Sequence, residues 1–284
     1  MAIEADGLPA QPPKALRFKH RIRLVAAVRE LWRQREIVRT LAEREIRARY
    51  KQTTLSWGWA LISPLALMAV FVIFVNPVAD VDTNGAPYSL FTYLGLLPWT
   101  FFSASLNLSS NTMINNKALI NKIYCPREMF PVSAVVVAGI DALMASTALV
   151  VLFLVTGTAP AVTSLWVPLI LVVQLAFVIG VSLVAAVTVV YVRDLRNAVP
   201  LLLQLGLFAT PVAYSLEAIP QQWVGIYSFL NPLAPVIDSY RRTVLDGQAP
   251  QWDLLGYGAL GAAILLFGGY WYFKHLETGI ADLA

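Results

Sequence analysis

Residues 162–191 read VTSLWVPLILVVQLAFVIGVSLVAAVTVVY, thirty positions in succession without a charged side chain. A helix needs about 20 apolar residues to cross the hydrocarbon core of a bilayer, and this run exceeds that length. Five further stretches of the same kind lie at roughly Leu55–Val78, Leu90–Ile114, Val132–Val155, Val199–Leu216 and Leu254–Phe273. The second and fifth of the six carry polar residues and an internal proline. The composition agrees: 58% of the 284 residues are hydrophobic and 13% are charged, where a soluble domain carries about 25% charged residues. The mean hydropathy is +0.64. So few charges do not cover a soluble surface, so lipid supplies part of the solvent. Six spans would use about 120 to 150 residues and leave no room for a large soluble domain. The single cysteine, Cys125, excludes an intrachain disulfide and a cysteine-based metal cluster.

The basic residues set a topology. Thirteen Lys and Arg precede the first span, from Lys14 to Lys51. Lys117, Lys122 and Arg127 follow the second, Arg193 and Arg196 the fourth, and Lys274 the sixth. Nineteen cations thus fall on one side, against Arg241 and Arg242 on the other. The positive-inside rule places both termini in the cytoplasm. Trp57, Trp59, Trp166 and Tyr270–Phe273 sit where aromatic belts are expected. The charged first fifty residues do not read as a cleaved signal, so the first span is expected to act as an uncleaved anchor.

Three segments are not simple spans. Over Ile37–Lys51, with Ile37, Val38, Leu41, Ala42 and Ile46 on one half of the helical wheel, the pattern predicts an amphipathic helix within residues 35–52. Arg39, Arg44 and Arg47 lie on the other half, and Glu45 and Arg49 fall out of phase. Such a helix lies among lipid headgroups with its arginines near anionic lipid, or packs on a cytosolic partner. Upstream, Leu24–Trp32 has its own apolar arc with a break near Gln34, and residues 1–16 read as a loose tail within a cytoplasmic segment 1–34. Between the second and third spans, Leu119, Ile120, Ile123 and Tyr124 form an apolar stripe before Pro126. It predicts a short helix that docks a soluble partner or folds back on its own chain. After Thr210-Pro211, the prolines Pro220, Pro232 and Pro235 leave Gln222–Leu230 and Val236–Val244 too short to cross. Irregular backbone at membrane depth must be covered by protein or line a watery cavity, so the region 217–247 is expected to be re-entrant at the outer rim, as a gate.

Enzyme constellations are sparse. His20 and His275 lie outside the spans at opposite ends of the chain, and no Gly-rich phosphate loop ends in Lys-Ser or Lys-Thr. Any ATP drive must therefore come from another polypeptide. Asp141, within the third span, reads either as functional or as a hydrogen-bonded contact near Ser146 and Thr147. Ser103, Asn107, Ser110 and Asn111 share one face of the second span, suited to sugar hydroxyls in a conduit or to helix–helix bonds. Among the aromatic residues Tyr88, Phe91, Tyr93, Trp99, Phe101 and Phe102, some can stack on sugar faces. Arg241 and Arg242 read as a phosphate contact or as a solvated pair.

These residues resemble a family. Glu43-Arg44-Glu45-Ile46-Arg47-Ala48-Arg49-Tyr50-Lys51-Gln52, then Leu55-Ser56-Trp57-Gly58-Trp59-Ala60 and Pro64, are similar to the entry of polysaccharide-exporting ABC transporter permeases. The resemblance continues through Gly95-Leu96-Leu97-Pro98-Trp99, Phe101-Phe102-Ser103, Leu119-Ile120 to Tyr124, Pro126-Arg127-Glu128 and Pro131. It then takes in Arg193-Asp194, Thr210-Pro211-Val212-Ala213-Tyr214 and Asn231-Pro232, so it runs in order from about residue 36 to the C-terminus. Cys125 stands where relatives often carry Phe. The resemblance implies an all-α integral membrane protein with six transmembrane helices over 53–284. An N-terminal amphipathic interface helix, a cytosolic coupling helix near 116–128 and short external gate helices complete it.

The resemblance also implies a homodimer in the bacterial inner membrane paired with two ABC-type ATPase subunits, which hold ATP and Mg; this chain itself would carry no cofactor, metal or nucleic acid. The substrate would be a lipid-linked glycan such as an O-antigen, teichoic acid or galactan precursor. Lys117, Leu119, Ile120, Lys122, Ile123, Tyr124, Arg127 and Glu128 would couple to the ATPase. Trp99, Phe102, Ser103, Asn107, Asn111 and Asp141 would line the conduit, and Trp223, Tyr227, Arg241 and Arg242 the gate. The alternatives are a drug or small-molecule ABC exporter permease, a membrane-embedded enzyme acting on lipid-linked sugar with Asp141 as its candidate, and a structural scaffold.

Overall fold

A computed structural model describes residues 33–50, 58–79, 83, 85–120 and 125–277. The expectations for residues 1–16, for Leu24–Trp32, and for Trp57, Lys122, Ile123 and Tyr124 lie outside the described residues. Among the described residues the chain is helical and contains no strand.

Helix α1 (Arg35–Tyr50) carries Glu36 in its first turn and Arg47 and Arg49 in its last, the arrangement that complements the helix dipole. Glu43 receives Arg39 at 2.8 Å and Arg47 at 3.6 Å, both one turn away. The opposite face buries Leu41 and Ala42. The first span is α2 (Gly58–Val70), which continues into a π-helical turn at Phe71–Val75 and the four-residue α3 (Asn76–Ala79). Pro77 explains the wider turn: its ring would clash with the carbonyl four residues back in a regular helix.

The central helix is α4 (Tyr88–Asn115), followed by the short α5 (Lys117–Ile120). Helix α6 (Met129–Thr156) ends at Gly157, whose φ of 66° supplies a left-handed stop. A 3-10 turn at Val162–Trp166 leads into α7 (Val167–Tyr191), with Pro168 in the first turn where its missing N–H costs nothing. Then come α8 (Leu195–Ala209), α9 (Gln221–Leu230), α10 (Leu233–Val244) and α11 (Trp252–Leu276).

Four segments of the described residues are long and apolar enough to cross a membrane: Gly58–Val75, Met129–Thr156, Val162–Tyr191 and Trp252–Leu276. Helix α4 has the length, with 28 residues, but its Ser, Thr and Asn content lowers its apolarity. The expected span Val199–Leu216 takes another form. Its helix starts at Leu195 and stops at Ala209, and Thr210 is extended at φ −99°, ψ 141°. Thr210 precedes Pro211, and a residue before proline is pushed out of the helical region. The 15 residues of α8 reach about 22 Å, short of a full crossing.

Helix α4 lies between α6 and α7 and fully buries Leu90, Tyr93 and Leu96. At one end of the bundle, α1, α4, α6, α7 and α11 share a cluster containing Leu41, Met113, Phe130, Val187 and Phe273. At the other end, Trp166 and Trp252 meet edge to face at 4.9 Å. Helices α7 and α11 cross on glycine: a Cβ on Gly180 would lie 2.6 Å from the backbone of Leu265, and one on Gly269 would lie 2.5 Å from the Gly180 carbonyl. Small residues at such a crossing replace the hydrophobic drive that lipid does not provide. Gly180→Leu is therefore expected to lower the melting temperature in mild detergent and spread the size-exclusion peak. Gly256→Leu, at a position with open space, should leave both unchanged. An unaltered Gly180→Leu protein would contradict this crossing.

Candidate functional site

At the end of the bundle away from α1, the chain leaves the helix over residues 210–215, ahead of a 3-10 turn at Leu216–Ala218, and its carbonyls need partners. Arg241 of α10 supplies them. Its Nε donates to the Phe91 carbonyl at 3.0 Å, and its Nη1 donates to Pro211 at 2.9 Å and Tyr214 at 3.0 Å. Its Nη2 donates to the Val212 carbonyl. The guanidinium also lies over the Phe91 ring, 3.7 Å from its centre, and the Tyr88 hydroxyl donates to Ala213 at 2.9 Å. Arg241 is thus buried and spent on backbone, which corrects both sequence readings of it, as phosphate contact and as solvated pair. Arg242 is only half-buried and donates to Gln248 at 2.6 Å.

Helices α9 and α10 are short, with 10 and 12 residues, as expected of segments too short to cross. Helix α10 is buried among α4, α7 and α11. In α9, the Tyr227 hydroxyl donates to the Ala209 carbonyl, and Asn231 donates to Thr210 Oγ1 at 3.0 Å. Both bonds close the broken end of α8. Trp223 is exposed.

At the opposite end, the segment joining α4 to α6 is tied to its own chain. Arg44 of α1 donates to Asn116 Oδ1, and the Asn116 amide donates to the Thr112 carbonyl at 2.9 Å. Ile120 is buried in the shared apolar cluster, and Leu119 and Cys125 pack against it. Burial and the neighbouring Glu128 push the Cys125 thiol up, so it stays protonated at neutral pH. Glu128 is buried and accepts from Lys274 Nζ at 2.7 Å, and Lys274 also reaches Glu277 at 3.1 Å. Ile120 and Glu128, expected on a docking surface, instead fasten this segment to the bundle. Lys117 is exposed and Arg127 half-buried.

Asp141 pairs with Arg49 at 2.9 Å. Ser146 and Thr147, its expected neighbours, donate instead to the carbonyls of Leu143 and Met144. The pair lines a cavity of about 310 Å3 with Trp59, Ser63 and Phe101. The polar face of α4 bonds mainly to itself: Ser103 donates to Thr100 at 3.2 Å, Ser110 to Asn107 at 2.9 Å and Asn111 to Asn107 at 3.0 Å. Its side chains do not form the expected helix–helix bonds, which come from Ser109 and Thr112 to the carbonyls of Pro131 and Phe130. Trp99 and Phe102 are buried, with ring centres 5.6 Å apart, and Phe102 stacks on Phe177 at 5.1 Å. Their faces are covered by the subunit itself, so they do not form a sugar-stacking surface. Among the described residues no group of three or more His, Cys, Asp or Glu is placed to hold a metal.

Four of the described segments are long and apolar enough to cross a membrane, and the sequence matches a known family. The ABC-2 type transporter profile matches residues 36–245. The chain belongs to the ABC-2 type transporter family. It is 28% identical over 260 residues to an O-antigen export system permease protein RfbA of Myxococcus xanthus, covering 91% of this chain and 99% of that one. A Klebsiella pneumoniae protein of the same name is 30% identical over 249 residues, covering 87% and 95%. A polysialic acid transport protein KpsM of Escherichia coli is 25% identical over 253 residues, covering 87% and 96%. The resemblance to polysaccharide-exporting ABC permeases is therefore shown over nearly the whole chain, and the protein is a multi-pass membrane protein.

Two substitutions test the geometry. Arg241→Lys keeps the charge but loses the planar fork, and each buried carbonyl left unpaired costs about 1 to 3 kcal/mol. It is expected to lower the melting temperature clearly, while Arg242→Lys stays near wild type; equal values would contradict the staple. For the ion pair, a double-mutant cycle of Arg49→Gln and Asp141→Asn is expected to return a coupling of about 0.5 to 1.5 kcal/mol. Zero coupling would release Asp141 from the pair.

Proposed function

We propose that this chain is the transmembrane subunit of an ATP-driven exporter that moves a polyprenyl-diphosphate-linked polysaccharide from the cytoplasmic to the outer side of the bacterial inner membrane. The observation that carries this reading is the match, across about nine-tenths of the chain, to permeases named for O-antigen export and polysialic acid transport. The working unit is a homodimer of six-span subunits with two ABC-type ATPase subunits. Helix α4 serves as the second span, and α8 with the non-helical segment after it as the fifth. Both termini face the cytoplasm, on the side of the nineteen cations.

ATP and Mg belong to the partner, because the chain has no P-loop. Binding of ATP closes the ATPase pair, and the segment 116–128 receives the movement through Lys117, Leu119 and Arg127. Glu128 passes it to α11 through Lys274, and Asn116 passes it to α1 through Arg44. Three helices then tilt as one body, and a path opens between subunits. The exposed Arg39 and Arg47 of α1 hold anionic headgroups. Asn107 offers its amide to the glycan, and Trp223 and Tyr227 border the outer exit.

The pair Lys117→Ala with Arg127→Ala tests the coupling. In the assembled complex it is expected to reduce export of cell-surface glycan about tenfold while ATP hydrolysis continues. Normal export would remove the coupling role from this segment.

A further inference from the structure

Between α6 and α7, beside α10, lies a cavity of about 540 Å3, within the roughly 300 to 1,000 Å3 of ordinary ligand pockets. Pro98 and Phe101 of α4 and Tyr240 of α10 also line it. No charged side chain does. Its three polar side chains are already hydrogen-bonded: Ser146 donates to Leu143 at 2.6 Å, Gln174 to Pro98 at 3.1 Å, and Tyr240 to Gln174 Oε1 at 2.9 Å. A headgroup or a sugar would find little to bind, whereas a hydrocarbon chain would find apolar walls.

The surroundings say where that hydrocarbon comes from. Val136, Leu143 and Leu171 on the cavity wall are exposed, and Val150, Leu154 and Val172 continue the same exposed apolar surface along α6 and α7. Both helices qualify as membrane spans, so bilayer lipid is the medium in contact with this opening. A dry apolar void forfeits dispersion contacts along its lining, and an acyl chain restores them. From α7 the cavity takes Val167, Leu171, Gln174 and Leu175, all in its first half. It therefore lies in the half of the bilayer beside the Arg241 staple, away from α1.

We propose that this cavity holds one acyl chain of a bilayer phospholipid from the leaflet on the α10 side, and that the chain braces α10 through Tyr240 and Gln174. Tyr240 precedes Arg241 in the sequence, so occupancy acts next to the residue that holds the segment 211–214. The inference rests on the membrane-spanning helices and does not depend on which polysaccharide is moved.

The test uses the full chain in nanodiscs of phosphatidylethanolamine and phosphatidylglycerol, a fraction of which carries a photoactivatable diazirine midway along one acyl chain. Labelled peptides are mapped by mass spectrometry. Labelling is expected to concentrate on the cavity segments of α6 and α7. It should fall to the level of other lipid-facing surfaces in Gly139→Leu, where a new Cβ lies 3.7 Å from Phe101, an ordinary contact. Leu171→Trp, at the exposed mouth, should give the same loss and serves if Gly139→Leu does not fold. Uniform labelling of the wild type, or labelling undiminished in a folded filled variant, would overturn the proposal. So would displacement of the label by added polyprenyl phosphate, which would assign the cavity to prenyl chains. A Leu143→Cys protein that forms disulfide-linked dimers through this position would give the opening to a second copy and overturn it equally.

Discussion

The buried guanidinium of Arg241 allows this membrane-spanning bundle to contain a break in its helical backbone. A chain in lipid must satisfy every N–H and C=O internally, and the stretch after Ala209 abandons the helix that would do so. Three bonds from Arg241 to the carbonyls of Pro211, Val212 and Tyr214 make up the deficit, and a fourth, to Phe91, ties the guanidinium to α4. Other features follow from that arrangement. Position 95 is glycine because a Cβ there would lie 2.5 Å from both the guanidinium and the Val212 carbonyl. Helix α10 is enclosed by α4, α7 and α11 because it carries the arginine to the carbonyls. Tyr227 and Asn231 complete the seal by bonding the end of α8.

The opposite end is organised differently, by pairs of charged or amide groups that each join two elements. Arg44 to Asn116 links α1 to the end of α4, Glu128 to Lys274 links the start of α6 to α11, and Arg49 to Asp141 links α1 to the middle of α6. A buried pair contributes little net stability but is costly to break on one side. Such links suit a joint that must transmit displacement without loosening. One end of the subunit thus holds irregular backbone, and the other joins its elements through paired side chains.

Much of this was legible in the sequence. The apolar runs marked the helices, the phase of Leu41 and Ala42 marked the buried side of α1, and Pro211, Pro220 and Pro232 marked the broken segment. The fifth stretch runs past the end of its helix at Ala209 because a hydropathy window averages over Thr210-Pro211, where the backbone leaves the helix. For Ile120 the sequence leaves docking and folding back open, because an apolar stripe has the same period whether its own core or a partner buries it, and Glu128 enters the docking surface through the family resemblance alone. The Asp141 pairing did leave a trace: Arg49 falls out of phase with the other arginines of α1. Lys274 as the partner of Glu128 left none, since the two are 146 positions apart. The role of Arg241 was hidden because two adjacent arginines near a helix end read as solvated, and burial is a property of the packed bundle.

The central claim is that this chain works as the membrane half of a machine whose energy is supplied by another polypeptide. Purifying the protein from its native membrane in mild detergent and identifying co-purifying proteins by mass spectrometry tests that claim most directly. The account predicts a soluble subunit with a P-loop at one-to-one stoichiometry. Recovery of the chain alone, reproducibly and in several gentle detergents, would contradict it.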